Sequence, residues 1–99
     1  MSFVSTQPQL LSAAAGDLHG IGSVVSAADA AAAGPTTRVV PAAADEVSAL
    51  TAAQFGAHSQ MYQVFSAQAA AIREQFVATL ETSARSYLAT EAANAAAAG

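Results

Sequence analysis

Few side chains in this 99-residue sequence could do chemistry: two histidines, seven carboxylates, three arginines and two tyrosines, with no cysteine. A histidine moves protons or ligates a metal only with a partner placed to meet the same atom. His19 and His58 fall on different predicted helices, and no HExxH, GxSxG or glycine-rich phosphate loop is present. Without cysteine, disulfides and thiolate metal sites are excluded. The sequence thus offers no catalytic residue, metal site, cofactor site or evident small-molecule substrate. Asp45-Glu46 reads as the acidic start of a helix, and Arg73-Glu74 as a solvated face. Tyr87 and Glu91 are spaced i, i+4, which on a helix puts a phenol and a carboxylate on one side. Composition alone favours a frayed helix end there; a pair presented for recognition is the other reading.

The elements that position these residues must be built from an unusual composition. Hydrophobic residues make up 54% of the chain, but 29 are alanine and only 24 are large apolar types. Alanine buries little area, so the chain is poorly placed to be stable alone. The formal charge of −4, with no lysine, argues against nucleic acid and against docking on anionic membrane. No apolar run reaches the roughly 18–20 residues that span a bilayer. The start, "MSFVSTQPQLLSAAAG", lacks a basic n-region, so the general secretory route is not expected for export.

Two helices are predicted. The first covers about 8–33, with Pro8 at its first position, Thr6 as a cap, and a stop at Gly34-Pro35. Leu11, Ala14, Leu18, Ile21, Val25, Ala28 and Ala32 form one stripe on it. Gly16, Gly20 and Gly22 allow a neighbouring helix to come close. A loop follows at about 34–41, and the second helix runs from about 42 to 83, starting near Asp45-Glu46. A flexible tail at about 84–99 completes a single domain.

The second helix carries two stripes: Val47, Leu50, Ala57, Met61 and Val64, and Phe55, Tyr62, Phe65, Ala69, Ile72, Phe76 and Leu80. Together they cover too wide an arc for one facing helix. A two-helix hairpin leaves one stripe wet, and exposed apolar faces of that length mark an interface. His58 lies on the aromatic stripe and reads as a hydrogen-bonded interface residue. Periodicity leaves open whether the cover is a second copy, in a self-associating bundle, or a different chain.

Three blocks carry a resemblance. "MSFV" with the following P-x-x-L and AAA, "PTTRVVPAAADEVSALTAAQF" and "SYLATEAANAAAAG" together resemble the mycobacterial PE proteins, specifically short members made of the PE domain alone. The likeness covers essentially the whole chain. Two positions depart from it: Pro8-Gln9 stands where the family has Pro-Glu, and Arg38 stands where a small loop residue is expected. Either could change partner specificity.

The resemblance implies an all-α fold: an antiparallel two-helix hairpin that completes a four-helix bundle with a PPE protein in a 1:1 heterodimer. Leu11, Leu18, Ile21, Val25, Phe55, His58, Tyr62, Phe65, Ile72, Phe76 and Leu80 would meet that partner. It further implies folding in the cytoplasm, with a cytosolic chaperone on the PPE subunit, then export through a type VII (ESX) secretion system to the cell surface or medium. The family's export motif, Tyr-x-x-x-Asp/Glu, falls on Tyr87 and Glu91. A Trp-x-Gly turn completes that signal; this chain has no Trp, so the Trp would come from the partner. An alternative from another class is a cell-envelope component that assists passage of small solutes across the mycobacterial outer membrane.

Overall fold

The computed structural model describes residues 4–99, so Met1, Ser2 and Phe3 of the opening motif lie outside the described residues. Two helices make up the fold: α1, Pro8–Thr37, and α2, Glu46–Ala98. No strand occurs among the described residues, and no helix there is long and apolar enough to cross a membrane. The chain divides into two compact units, Met1–Ile21 with Arg73–Gly99, and Gly22–Ile72. We call them the terminal unit and the loop unit.

α1 begins at Pro8 as its sequence predicts, but Thr6 is not its cap. The Gln7 carbonyl accepts the first helical bonds, from the amides of Leu10 (3.0 Å) and Leu11 (3.4 Å). At the other end α1 runs through Gly34-Pro35 to Thr37 rather than stopping there. Proline removes one donor. Two hydroxyls nearby bond the last turn: Thr36 to the Ala32 carbonyl (2.7 Å) and Thr37 to that of Ala33 (2.5 Å).

Residues 38–45 are the non-helical connection. Asp45 ends it and caps α2: the Ser48 amide donates to Oδ2 at 3.0 Å and the Ser48 hydroxyl to Oδ1 at 2.6 Å. Those two bonds, the hydroxyl first, hold the Asp45 carboxyl below the usual carboxylate range.

α2 does not stop near Ser83. It continues to Ala98, so the expected tail at 84–99 is helical except for Gly99. Thr82 and Ser83 are weak helix formers but not breakers, and alanine has the highest helix propensity. Gly99 takes a φ of +78°, the left-handed geometry that glycine supplies at helix ends.

Few large side chains take part in the packing between helices, and none among the described residues is fully buried. Among the described residues only Pro8, Ala15, Gly22 and Ala84 are buried. In the loop unit the half-buried positions of α2 are Ser48, Ala52, Gly56, Ser59, Gln63, Ser66 and Ala70. In the terminal unit they are Arg73, Val77, Leu80, Glu81 and Ser83, with Ala84 buried. These positions recur mostly in steps of three and four, a third stripe made mostly of small and polar residues, with Val77 and Leu80 its large apolar members. A Cβ at Gly56 would lie 3.4 Å from the Thr37 carbonyl oxygen, so α1 backbone comes close there.

Candidate functional site

Polar bonds hold the helices together in each unit. In the terminal unit the Thr6 hydroxyl donates to Glu91 Oε1 (3.0 Å) and the Ser12 hydroxyl to Glu81 Oε2 (3.0 Å). His19 Nδ1 lies 3.5 Å from Glu74 Oε1. In the loop unit the Tyr62 hydroxyl donates to Asp29 Oδ1 (2.6 Å), and Gln63 Nε2 to the Asp29 carbonyl (3.0 Å). In both units the pairings run antiparallel: in the terminal unit Ser12 meets Glu81 and His19 meets Glu74.

The reading of Arg73-Glu74 as a solvated face holds for Glu74, whose side chain is 57% exposed, and is corrected for Arg73. Glu74 faces His19, and Arg73 is half-buried with its Nε out of solvent and without a hydrogen-bond partner. The cause for Arg73 is its place in the half-buried stripe that faces α1.

With the seam built mostly from small residues, most of the large ones are left outside. Both stripes of α2 are uncovered, where the sequence suggested that one would be. In the loop unit Val47, Leu50, Met61 and Val64 are exposed, and so are Phe55 (59%), Tyr62, Phe65 (59%) and Ile72 (66%). In the terminal unit Phe76 is 54% exposed, whereas Leu80 is half-buried at the seam. On α1, Leu11 and Leu18 are half-buried, while Ile21 and Val25 are exposed. Leu10 and Val24 also face outward, and the sequence reading missed them. Each sits beside a residue of the counted stripe, and that adjacency was the available signal.

His58 is exposed and lines an open groove of about 570 Å³ with Val47, Leu50, Thr51, Gln54 and Phe55, all on α2. Tyr62 does more than line a face: its hydroxyl ties α2 to Asp29. That hydrogen bond, with the charge of the same carboxylate second, raises the phenol above its usual value.

Tyr87 and Glu91 are both exposed on α2, one helical turn apart. Arg38 is exposed and reaches back over the end of α1, where its Nη2 would lie 2.8 Å from a Cβ placed on Gly34. No three His, Asp or Glu side chains converge to hold a metal among the described residues.

The PE family matches residues 4–94 of the chain. The sequence is 66% identical over 98 residues to PE family protein PE13 of Mycobacterium tuberculosis, covering 99% of each protein. It is 60% identical over 96 residues to PE-PGRS family protein PE_PGRS33 of the same species, covering 97% of this chain and 20% of that one. A PE-PGRS protein of Mycobacterium bovis, PE_PGRS46, is 57% identical over 97% of this chain, which spans 12% of its length. The chain thus matches PE13 end to end and only about a fifth or less of these PE-PGRS proteins.

Proposed function

The chain belongs to the PE family, and from that premise we propose that it is a non-catalytic interaction protein, the PE half of a 1:1 heterodimer with a PPE protein. The carrying observation is the set of large apolar side chains, Phe55, Phe65, Ile72 and Phe76 foremost, that stay exposed because small residues occupy the seam. Two helices from the partner cover these faces and complete a four-helix bundle. The pair folds in the cytoplasm, where a chaperone holds the PPE subunit, and leaves through a type VII secretion system for the cell surface or the medium. Tyr87 and Glu91 are the part of the export signal that this chain supplies. Their exposure on one turn of α2 supports that role.

The test is co-expression with a PPE protein in a mycobacterial host. Co-purification in a 1:1 ratio, and appearance of both chains in the culture filtrate, is the expected result. Tyr87→Ala should leave the pair intact and trap it in the cell pellet. Normal export of that variant removes the signal assignment, and failure to co-purify removes the pairing.

A further inference from the structure

We propose that Thr6 is a positioning residue for Glu91, so that the export signal is built from two segments of the chain rather than from its C-terminal end alone. The inference rests on the reading of Tyr87 and Glu91 as that signal. Its observation is the 3.0 Å hydrogen bond from Thr6 Oγ1 to Glu91 Oε1, between residues 85 positions apart. Thr6 is not the cap of α1, since the Gln7 carbonyl starts that helix, and its hydroxyl is spent on Glu91 instead.

The same two segments meet at further points. Pro8 is buried, and with Gln9 and Ser12 it faces Ala84, Arg85 and Leu88 across a groove of about 150 Å³. The Ser12 hydroxyl donates to Glu81 Oε2 at 3.0 Å. Thr6 is therefore held next to the last turns of α2 by packing on either side of the signal's first residue, Tyr87.

The bond orients Glu91 without covering it. An ionised carboxylate has two oxygens and about four lone-pair sites. Thr6 takes one site on Oε1, and the exposed remainder stays open to a receptor. A glutamate that such a bond biases toward one rotamer loses less freedom when it is bound than one that samples many. Thr6 accordingly favours recognition of the signal.

The experiment scores both chains of the pair in culture filtrate and cell pellet, beside a thermal melt of the purified pair. Thr6→Val removes the hydroxyl at nearly constant volume. Its exported fraction should fall roughly twofold to tenfold, the span of ordering one rotamer-rich side chain on binding. The melting temperature should be lowered by no more than the few degrees that one exposed hydrogen bond accounts for. Thr6→Ser should restore export. In a Glu91→Asp pair the carboxylate is one methylene shorter and beyond Thr6, so adding Thr6→Val should cause no further loss. Unchanged or increased export of Thr6→Val, with Tyr87→Ala still blocked, overturns the role of Thr6 and leaves the signal reading intact. A loss that Thr6→Ser does not repair, that recurs in the Glu91→Asp pair, or that comes with a melt lowered by more than a few degrees also overturns it. Normal export of Tyr87→Ala overturns the signal reading itself.

Discussion

The Tyr62 hydroxyl sits 2.6 Å from the Asp29 carboxylate while half of the side chain remains in solvent, so one residue serves the seam and the outer face together. The phenol binds its proton more tightly in the folded chain than in the unfolded one. Its contribution to stability is therefore complete below the unfolded value near pH 10 and is lost as pH rises through the higher folded value. An alkaline absorbance titration should show one tyrosine ionising late, and Asp29→Asn or Tyr62→Phe should remove that late step. A titration unchanged by Asp29→Asn would place the phenol elsewhere. The phenylalanines are argued differently, because nothing in this chain covers them. Phe65→Ala and Phe76→Ala should weaken the heterodimer, each by about 3–5 kcal/mol if the partner buries the ring fully. Val4→Ala, at a side chain 88% exposed and apart from both helices, should cost far less. Equal small losses at all three sites would move the interface off the aromatic stripe.

At the scale of the helix, what was legible in the sequence and what was not have separate physical causes. Two helices, the proline start at Pro8 and the acidic start of α2 were readable because capping and φ restriction are local effects. The seam was not, since Ser48, Gly56, Ser59, Gln63 and Ser66 carry no hydropathy signal and resemble a solvated face. The end of α1 lies beyond its stop signal, Gly34-Pro35, because a proline near the C-terminus leaves only one helical donor missing and the last turn continues to Thr37. Tyr87 and Glu91 were legible as a pair, whereas the bond from Thr6 joins distant parts of the chain and left no local trace. Two predictions belong here. Asp45→Ala should lower the thermal stability of the helices and Asp45→Asn should largely preserve it, since asparagine caps nearly as well. The charge-dependent part of that cap is present above about pH 4 and is lost as pH falls through the lowered folded value. A melt of Asp45→Asn that fell with acid as steeply as the parent's would exclude this carboxylate as the cause. Gly56→Ala should be tolerated, because a methyl 3.4 Å from the Thr37 oxygen is ordinary contact and alanine gains roughly 0.5–1 kcal/mol of helix propensity. Gly56→Leu should force the helices apart and lower the melting temperature, whereas an unchanged melt would show that the close approach is not maintained.

For the molecule as a whole, the deciding quantity is surface. The chain exposes 7322 Å², whereas a compact folded protein of 9.8 kDa exposes only about 5,200 Å². The excess, roughly 2,100 Å², is well above the roughly 800 Å² that one partner contributes to a standard interface and falls in the range of one side of a large obligate one. Exposed on that surface are Val47, Phe55, Phe65 and Ile72, residue types that in a self-sufficient domain would be core. Alanine and serine in the seam supply close contact but little transfer free energy, so the hairpin has small means to offset the entropy of ordering two long helices. The chain produced alone should therefore be aggregated or poorly helical, with fast amide exchange along both helices. In the pair with its PPE protein it should melt cooperatively, with exchange slowed most on the turns that carry Phe65, Ile72 and Phe76. A shared melt would also make the midpoint depend on concentration, as it does when folding and association are one process. The measurement is circular dichroism and hydrogen exchange on the chain with and without partner, at micromolar concentration. A monodisperse, helical monomer with a sharp melt would show that the small-residue seam suffices, and the open faces would then need another explanation than a missing partner.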